Sequence, residues 1–80
     1  MRILDTEKQA RLYEVQLYLT PDEAADLRDK LDVLLRKPDA NAHEHLITDG
    51  AEMSFSLITP AKLKDMSGYT AAEHKLFGKK

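Results

Sequence analysis

The tetrapeptide Thr20-Pro21-Asp22-Glu23 constrains this chain more than any other feature. A threonine hydroxyl there can accept from the third helical N–H, and a glutamate three residues on can reach back to the threonine N–H. Proline suits the first helical position, where its missing N–H has no partner to lose. The acids Asp22 and Glu23 face the positive end of the helix dipole. A helix therefore starts at residue 21 and runs to about Lys37, where Pro38 disfavours helical geometry in the residue before it. Ala24, Leu27, Leu31, Leu34 and Leu35 give it an apolar stripe at three-and-four spacing. Asp26–Lys30, Arg28–Asp32 and Asp32–Arg36 are i,i+4 pairs on its outer side, each worth a few tenths of a kcal/mol.

This helix divides 80 residues into a short segment before it and a longer one after it. Before it, Leu12 to Leu19 alternates: Tyr13, Val15, Leu17 and Leu19 against Glu14, Gln16 and Tyr18. That period of two predicts a half-buried strand, with Tyr13 in the core and Tyr18 on the opposite side. After it, Ala42–Thr48 and Ala51–Thr59 are strand-like runs joined by Asp49-Gly50, a strong short-range hairpin signal. Residues 1–10 read as a frayed arm or a short edge strand.

Beyond Thr59-Pro60, a short helical segment to Met66 is expected, with Leu63 and Met66 on one side. Ser67-Gly68 breaks it, and Thr70-Ala71-Ala72-Glu73 offers a second capping box before a brief helix. Residues 60–80 thus form a helical tail, loosely docked on a single small domain of residues 1–80.

The expected fold is α+β: a two-layer β-α-β-β arrangement, the split β-α-β of a half-ferredoxin-like unit. Its three-stranded sheet has order 1-3-2, one main helix covers one face, and the short helical tail follows. The other sheet face is left to solvent, the tail or a second subunit.

Composition removes several function classes. With no cysteine there is no disulfide framework, no thiolate zinc site and no cysteine nucleophile. The apolar runs are a few residues long, too short for a membrane span or a signal peptide, so a cytoplasmic protein is the default. The chain is 42% hydrophobic and 32% charged, enough apolar residues for one core, with much of the charge spent on helix caps and pairs. Residues 1–59 carry a net charge of −5 and residues 60–80 a net of +3, from Lys62, Lys64, Lys75, Lys79 and Lys80 against Asp65 and Glu73. A lysine-rich tail can touch phosphates, although no arginine cluster or aromatic pair accompanies it.

His43-Glu44-His45 is the one constellation with metal chemistry. In a strand, residues i and i+2 share a face, so the imidazoles are neighbours. They could ligate zinc, copper or nickel if Asp49, Glu52 or His74 completed the set. Hairpin register decides where they sit. A two-residue turn sets Thr48 against Ala51, His45 against Ser54 and His43 against Ser56, putting the histidines on the polar face with Ala42 and Leu46 inside. It also puts Glu44 beside Phe55. A three-residue loop moves the histidines under the helix. The first costs less desolvation and is preferred.

Ser54 and Ser56 beside histidines invite a nucleophile reading, but a strand surface offers no oxyanion hole or pocket. Gly50, Gly68 and Gly78 are separated and form no phosphate loop. A single sheet layer with one helix has little volume for a substrate pocket, so an enzyme with its own active site is disfavoured and no cofactor is expected. The leading functional expectation is a non-enzymatic protein–protein interaction module. An accessory or immunity-type bacterial protein fits that profile. It would use an exposed sheet face or edge (Glu14, Gln16, Tyr18, Ser54, Ser56) to hold a protein partner or its own copy as a homodimer. The alternatives are metal binding through His43 and His45, and a nucleic-acid accessory role for the lysine-rich tail.

Overall fold

Local capping and turn chemistry fixes most of the secondary structure. The computed structural model describes residues 1–78. In chain order the elements are β1 (Ile3–Asp5), β2 (Ala10–Leu12), α1 (Pro21–Arg36), β3 (Glu44–Thr48), β4 (Ala51–Phe55), α2 (Pro60–Leu63) and α3 (Ala71–Leu76). The class is α+β, with one main helix and two separate two-stranded antiparallel sheets, β1-β2 and β3-β4. The chain divides into two compact units. One comprises Met1–Leu17 and the chain from Asp65 onward, the other Tyr18–Lys64.

In the Tyr18–Lys64 unit, both halves of the Thr20 capping box form. Thr20 N–H donates to Glu23 Oε1 at 2.8 Å, and Glu23 N–H donates to Thr20 Oγ1 at 3.2 Å. At the other end, Lys37 N–H closes on Leu34 O. Asp26–Lys30 (3.3 Å) and Asp32–Arg36 (2.9 Å) pair as spaced, whereas Arg28 turns to its neighbour Asp29 at 3.0 Å.

The β3–β4 hairpin turns on Asp49 and Gly50, both with positive φ (50° and 77°). Positive φ at both central residues is the type I′ signature, whose twist matches that of the flanking strands. Thr48 faces Ala51, Leu46 faces Met53, His45 faces Ser54 and Glu44 faces Phe55. The two-residue register is therefore the one adopted. Leu46 is buried and Met53 half-buried on one face; Ile47, Glu52 and Ser54 are exposed on the other. Helix α1 packs on β3. Lys30 Nζ donates to the His45 carbonyl, which ties the helix to the strand.

Several expectations are not met. The three-stranded order 1-3-2 is not seen among the described residues, because Leu12–Leu19 forms no strand beyond Leu12. Tyr13, expected in the core, is 84% exposed. The helix stripe is also narrower than its sequence. Leu34 is buried and Leu27 half-buried, but Ala24, Leu31 and Leu35 are exposed, and Glu23 and Lys30 share the covered side. The reason is width. Two strands lie about 5 Å apart, while a helix with its side chains is about 10 Å across, so a hairpin covers only part of a stripe built for three strands. Ala42 precedes β3 and is exposed instead of lying beside Leu46.

In the other unit, residues 1–10 supply β1 and the start of β2, which pair as Ile3 with Leu12 and Asp5 with Ala10. Asp5 Oδ1 accepts the Glu7 and Lys8 N–H groups at 3.0 and 3.1 Å, closing the turn, and Gln9 takes a positive φ of 53°. Helix α3 carries the second capping box, Thr70 with Glu73. Leu76 is buried there and Phe77 meets Tyr69 edge-on at 5.2 Å.

Candidate functional site

Of the expected metal pair, His45 faces Ser54 as the two-residue register requires, whereas the ladder ends at Glu44–Phe55 and does not include His43. His45 lies on the outer face of β3, and His43 lies just before the strand and is exposed. Their rings meet edge to face, with centroids 4.8 Å apart. His45 Nδ1 lies 2.9 Å from Glu52 Oε2 and 2.9 Å from Ser54 Oγ. Both contacts are cross-strand, fixed by the turn at Asp49-Gly50. A carboxylate only accepts, so the contact with Glu52 requires the proton on Nδ1, and His45 is the donor. Ser54 then faces an N–H rather than a basic lone pair. That arrangement gives the serine hydroxyl no general base.

Of the residues considered as further metal ligands, Glu52 is held by His45 as a hydrogen-bond acceptor. His74 turns its Nε2 to the Met66 carbonyl at 2.9 Å. Asp49 occupies the turn. Among the described residues no three His, Cys, Asp or Glu side chains gather as a metal site would need.

The five expected interaction residues do not share a sheet face. Ser54 is exposed on β4 and Ser56 just beyond it, whereas Glu14, Gln16 and Tyr18 lie on the segment without secondary structure. The alternation of Leu12–Leu19 attached these side chains to a three-stranded sheet that is not seen among the described residues. The same segment carries what residue-by-residue reading missed. Leu12, Tyr13, Val15, Leu17, Tyr18 and Leu19 are all exposed, with Tyr13 at 84% and Tyr18 at 87%. Six large apolar side chains within eight residues are thus open to solvent. Arg11 stacks its guanidinium on the Tyr13 ring at 4.8 Å, which orients that ring without covering it.

The tail lysines are unequal. Lys62 Nζ donates to Leu57 O at 2.8 Å and is half-buried, a structural role. Lys64 and Lys75 are exposed, and Lys79 and Lys80 lie outside the described residues. A shallow depression of about 290 Å³ is lined by Met1, Arg2, Arg11, Leu76, Phe77 and Gly78. Nothing in the sequence spacing pointed to Arg2 and Arg11 lining one depression.

Two carboxylates are held below their usual range. Glu23 is lowered chiefly by the Thr20 N–H and then by the Thr48 hydroxyl, and Asp65 by the hydroxyl and N–H of Ser67. Both are consequences of capping and turn geometry rather than of a reactive site. No helix of the described residues is long and apolar enough to cross a membrane. Compared with protein-family models, curated proteins and solved structures, the chain has no significant match to any of them.

Proposed function

We propose that this protein is a small non-enzymatic interaction module, acting in the cytoplasm, that holds a protein partner through the apolar run Leu12–Leu17. The carrying observation is the exposure of Leu12, Tyr13, Val15 and Leu17 within six residues of one unit. Scattered apolar side chains are ordinary on a protein surface, but a contiguous patch marks an interaction site. Tyrosine is also the residue type that interfaces favour, being large, stiff and polar at one end. On the outer face of the β3–β4 hairpin, His45, Glu52 and Ser54 are engaged by hydrogen bonds with one another around a single exposed apolar side chain, Ile47. That face supplies a rim rather than an anchor.

Support for a catalytic reading is weak on the same geometry. Ser54 lacks a base, and the depression lined by Arg2 and Arg11 is shallow and holds no acid–base pair. The metal and nucleic-acid readings each lack a feature of their own beyond an exposed histidine pair and two exposed lysines.

A photo-crosslinking amino acid at Tyr13 tests the proposal, with the same group at Asp29 on the charged side of α1 as control. Irradiation of the full chain in cells is expected to give a discrete polypeptide adduct from position 13 and none from position 29. Equal yields at both positions, or no adduct from position 13, would overturn it.

A further inference from the structure

We infer that the partner segment held on Leu12–Leu17 carries an acidic side chain, and that Arg2 and Arg11 receive its carboxylate in the depression they share with Leu76 and Phe77; this rests on the interaction-module reading above. The first argument is placement. Both arginines are exposed, both line the same depression, and all of these residues belong to one unit. Leu76 is buried and Phe77 is seated edge-on against Tyr69 at 5.2 Å, so the depression rests on packed side chains.

The second argument is unanswered charge. Among the described residues the ion pairs are Arg28–Asp29, Lys30–Asp26, Arg36–Asp32 and His45–Glu52, all in the other unit. None reaches Arg2 or Arg11. The acids of their own unit are turned to the backbone instead. Asp5 accepts the Glu7 and Lys8 N–H groups, Asp65 the Ser67 N–H and Glu73 the Thr70 N–H. The carboxylate that would balance two guanidinium groups is thus left to a partner.

The third argument is orientation. Arg11 stacks on the Tyr13 ring at 4.8 Å. Stacking occupies the face of a guanidinium and leaves the N–H groups on its edge free for a two-point bond to a carboxylate. Tyr13 belongs to the exposed apolar run, so the arginine site and that run adjoin.

The shallowness of the depression selects the source of the anion. Small-molecule sites bury most of their ligand, and an ion pair made in the open gains little by itself. A carboxylate on a segment already seated on the apolar run arrives at high effective concentration. An acidic peptide therefore fits better than free phosphate.

The test is a nuclear magnetic resonance titration of the full chain, read at the Nε–Hε signals of Arg2, Arg11, Arg28 and Arg36. The probes are acetyl-Leu-Asp-Leu-amide, its asparagine counterpart and inorganic phosphate. The aspartate peptide should move Arg2 and Arg11 to saturation and leave Arg28 and Arg36 in place. Joint replacement by Arg2→Gln and Arg11→Gln, both at exposed positions, should leave the far-UV circular dichroism unchanged. It should weaken that peptide about tenfold, followed at the Tyr13 amide. An asparagine peptide as effective as the aspartate one, four arginines moving alike, or phosphate binding where the aspartate peptide does not would overturn the inference. The crosslinker at Tyr13 separates the two levels. An adduct that fades in the double arginine variant supports both, an adduct of undiminished yield there removes the acidic contact alone, and no adduct from the wild type removes both.

Discussion

Replacing Leu34 by alanine tests which side of α1 is packed. Leu34 is 5% exposed and Leu46, the buried residue of β3, is 6% exposed, so these two leucines anchor the helix–hairpin contact. The substitution removes three carbons. At about 0.8 kcal/mol per buried methylene the transfer loss is about 2.4 kcal/mol. The residual cavity adds little, because Leu34 and Leu46 are the only buried residues described in this unit and so thin a core can close on the gap or admit water. The expected cost is therefore about 2.5 kcal/mol, near the low end of measured core truncations. A domain of this length is stable by about 4–12 kcal/mol, so the loss takes a large share. Leu35→Ala makes the same chemical change one residue on, at a side chain 63% exposed, and should cost no more than about 0.5 kcal/mol. Urea unfolding followed by far-UV circular dichroism reads both. With a slope of about 1 kcal/mol/M, Leu34→Ala should lower the midpoint by about 2.5 M without changing the slope. A Leu35→Ala midpoint shifted as far as that of Leu34→Ala would refute the packing argument.

Two further measurements probe the local devices. Gly50→Ala should cost about 1 kcal/mol in the same urea assay, through backbone strain alone, because Gly50 has φ +77° and an added Cβ would meet nothing within 4 Å; Gly50→Asn should cost less, since asparagine tolerates the left-handed region. The Glu23 carboxyl is held below its ordinary value of 4.5 by the Thr20 N–H and the Thr48 hydroxyl. A group lowered on folding contributes stability that is complete above its ordinary value and is lost as pH falls through its folded value. Wild type should therefore lose more stability than Glu23→Gln as pH drops below about 4.5, and parallel pH profiles for the two proteins would contradict that account.

Physical range explains which expectations survive. Both capping boxes, the Thr59-Pro60 helix start and the Asp49-Gly50 turn each depend on residues within four positions of one another, and all are present. The His45–Ser54 pairing was also legible. Once the turn has two residues every cross-strand neighbour follows by counting, and burying two imidazoles would have cost more. The triangle of His45, Glu52 and Ser54 was not read as a unit, because the diagonal reach of Glu52 across the ladder depends on side-chain rotamer as well as register.

Leu12–Leu19 marks the boundary of what local sequence decides. Its alternation predicted one apolar face, yet Leu12 and Tyr18 of one set and Tyr13, Val15, Leu17 and Leu19 of the other are all exposed. Whether a strand of the same chain would cover such a face was a long-range question, since strand pairing needs a partner backbone that no spacing within the segment supplies. The tertiary structure left Tyr13–Leu19 outside both sheets, and a two-stranded hairpin was too narrow to cover the full stripe of α1. By itself the sequence determined where each helix begins, how the main hairpin turns and which side chains share a face. Only the tertiary structure decided which of those faces are covered, because burial depends on the width and number of the elements that meet.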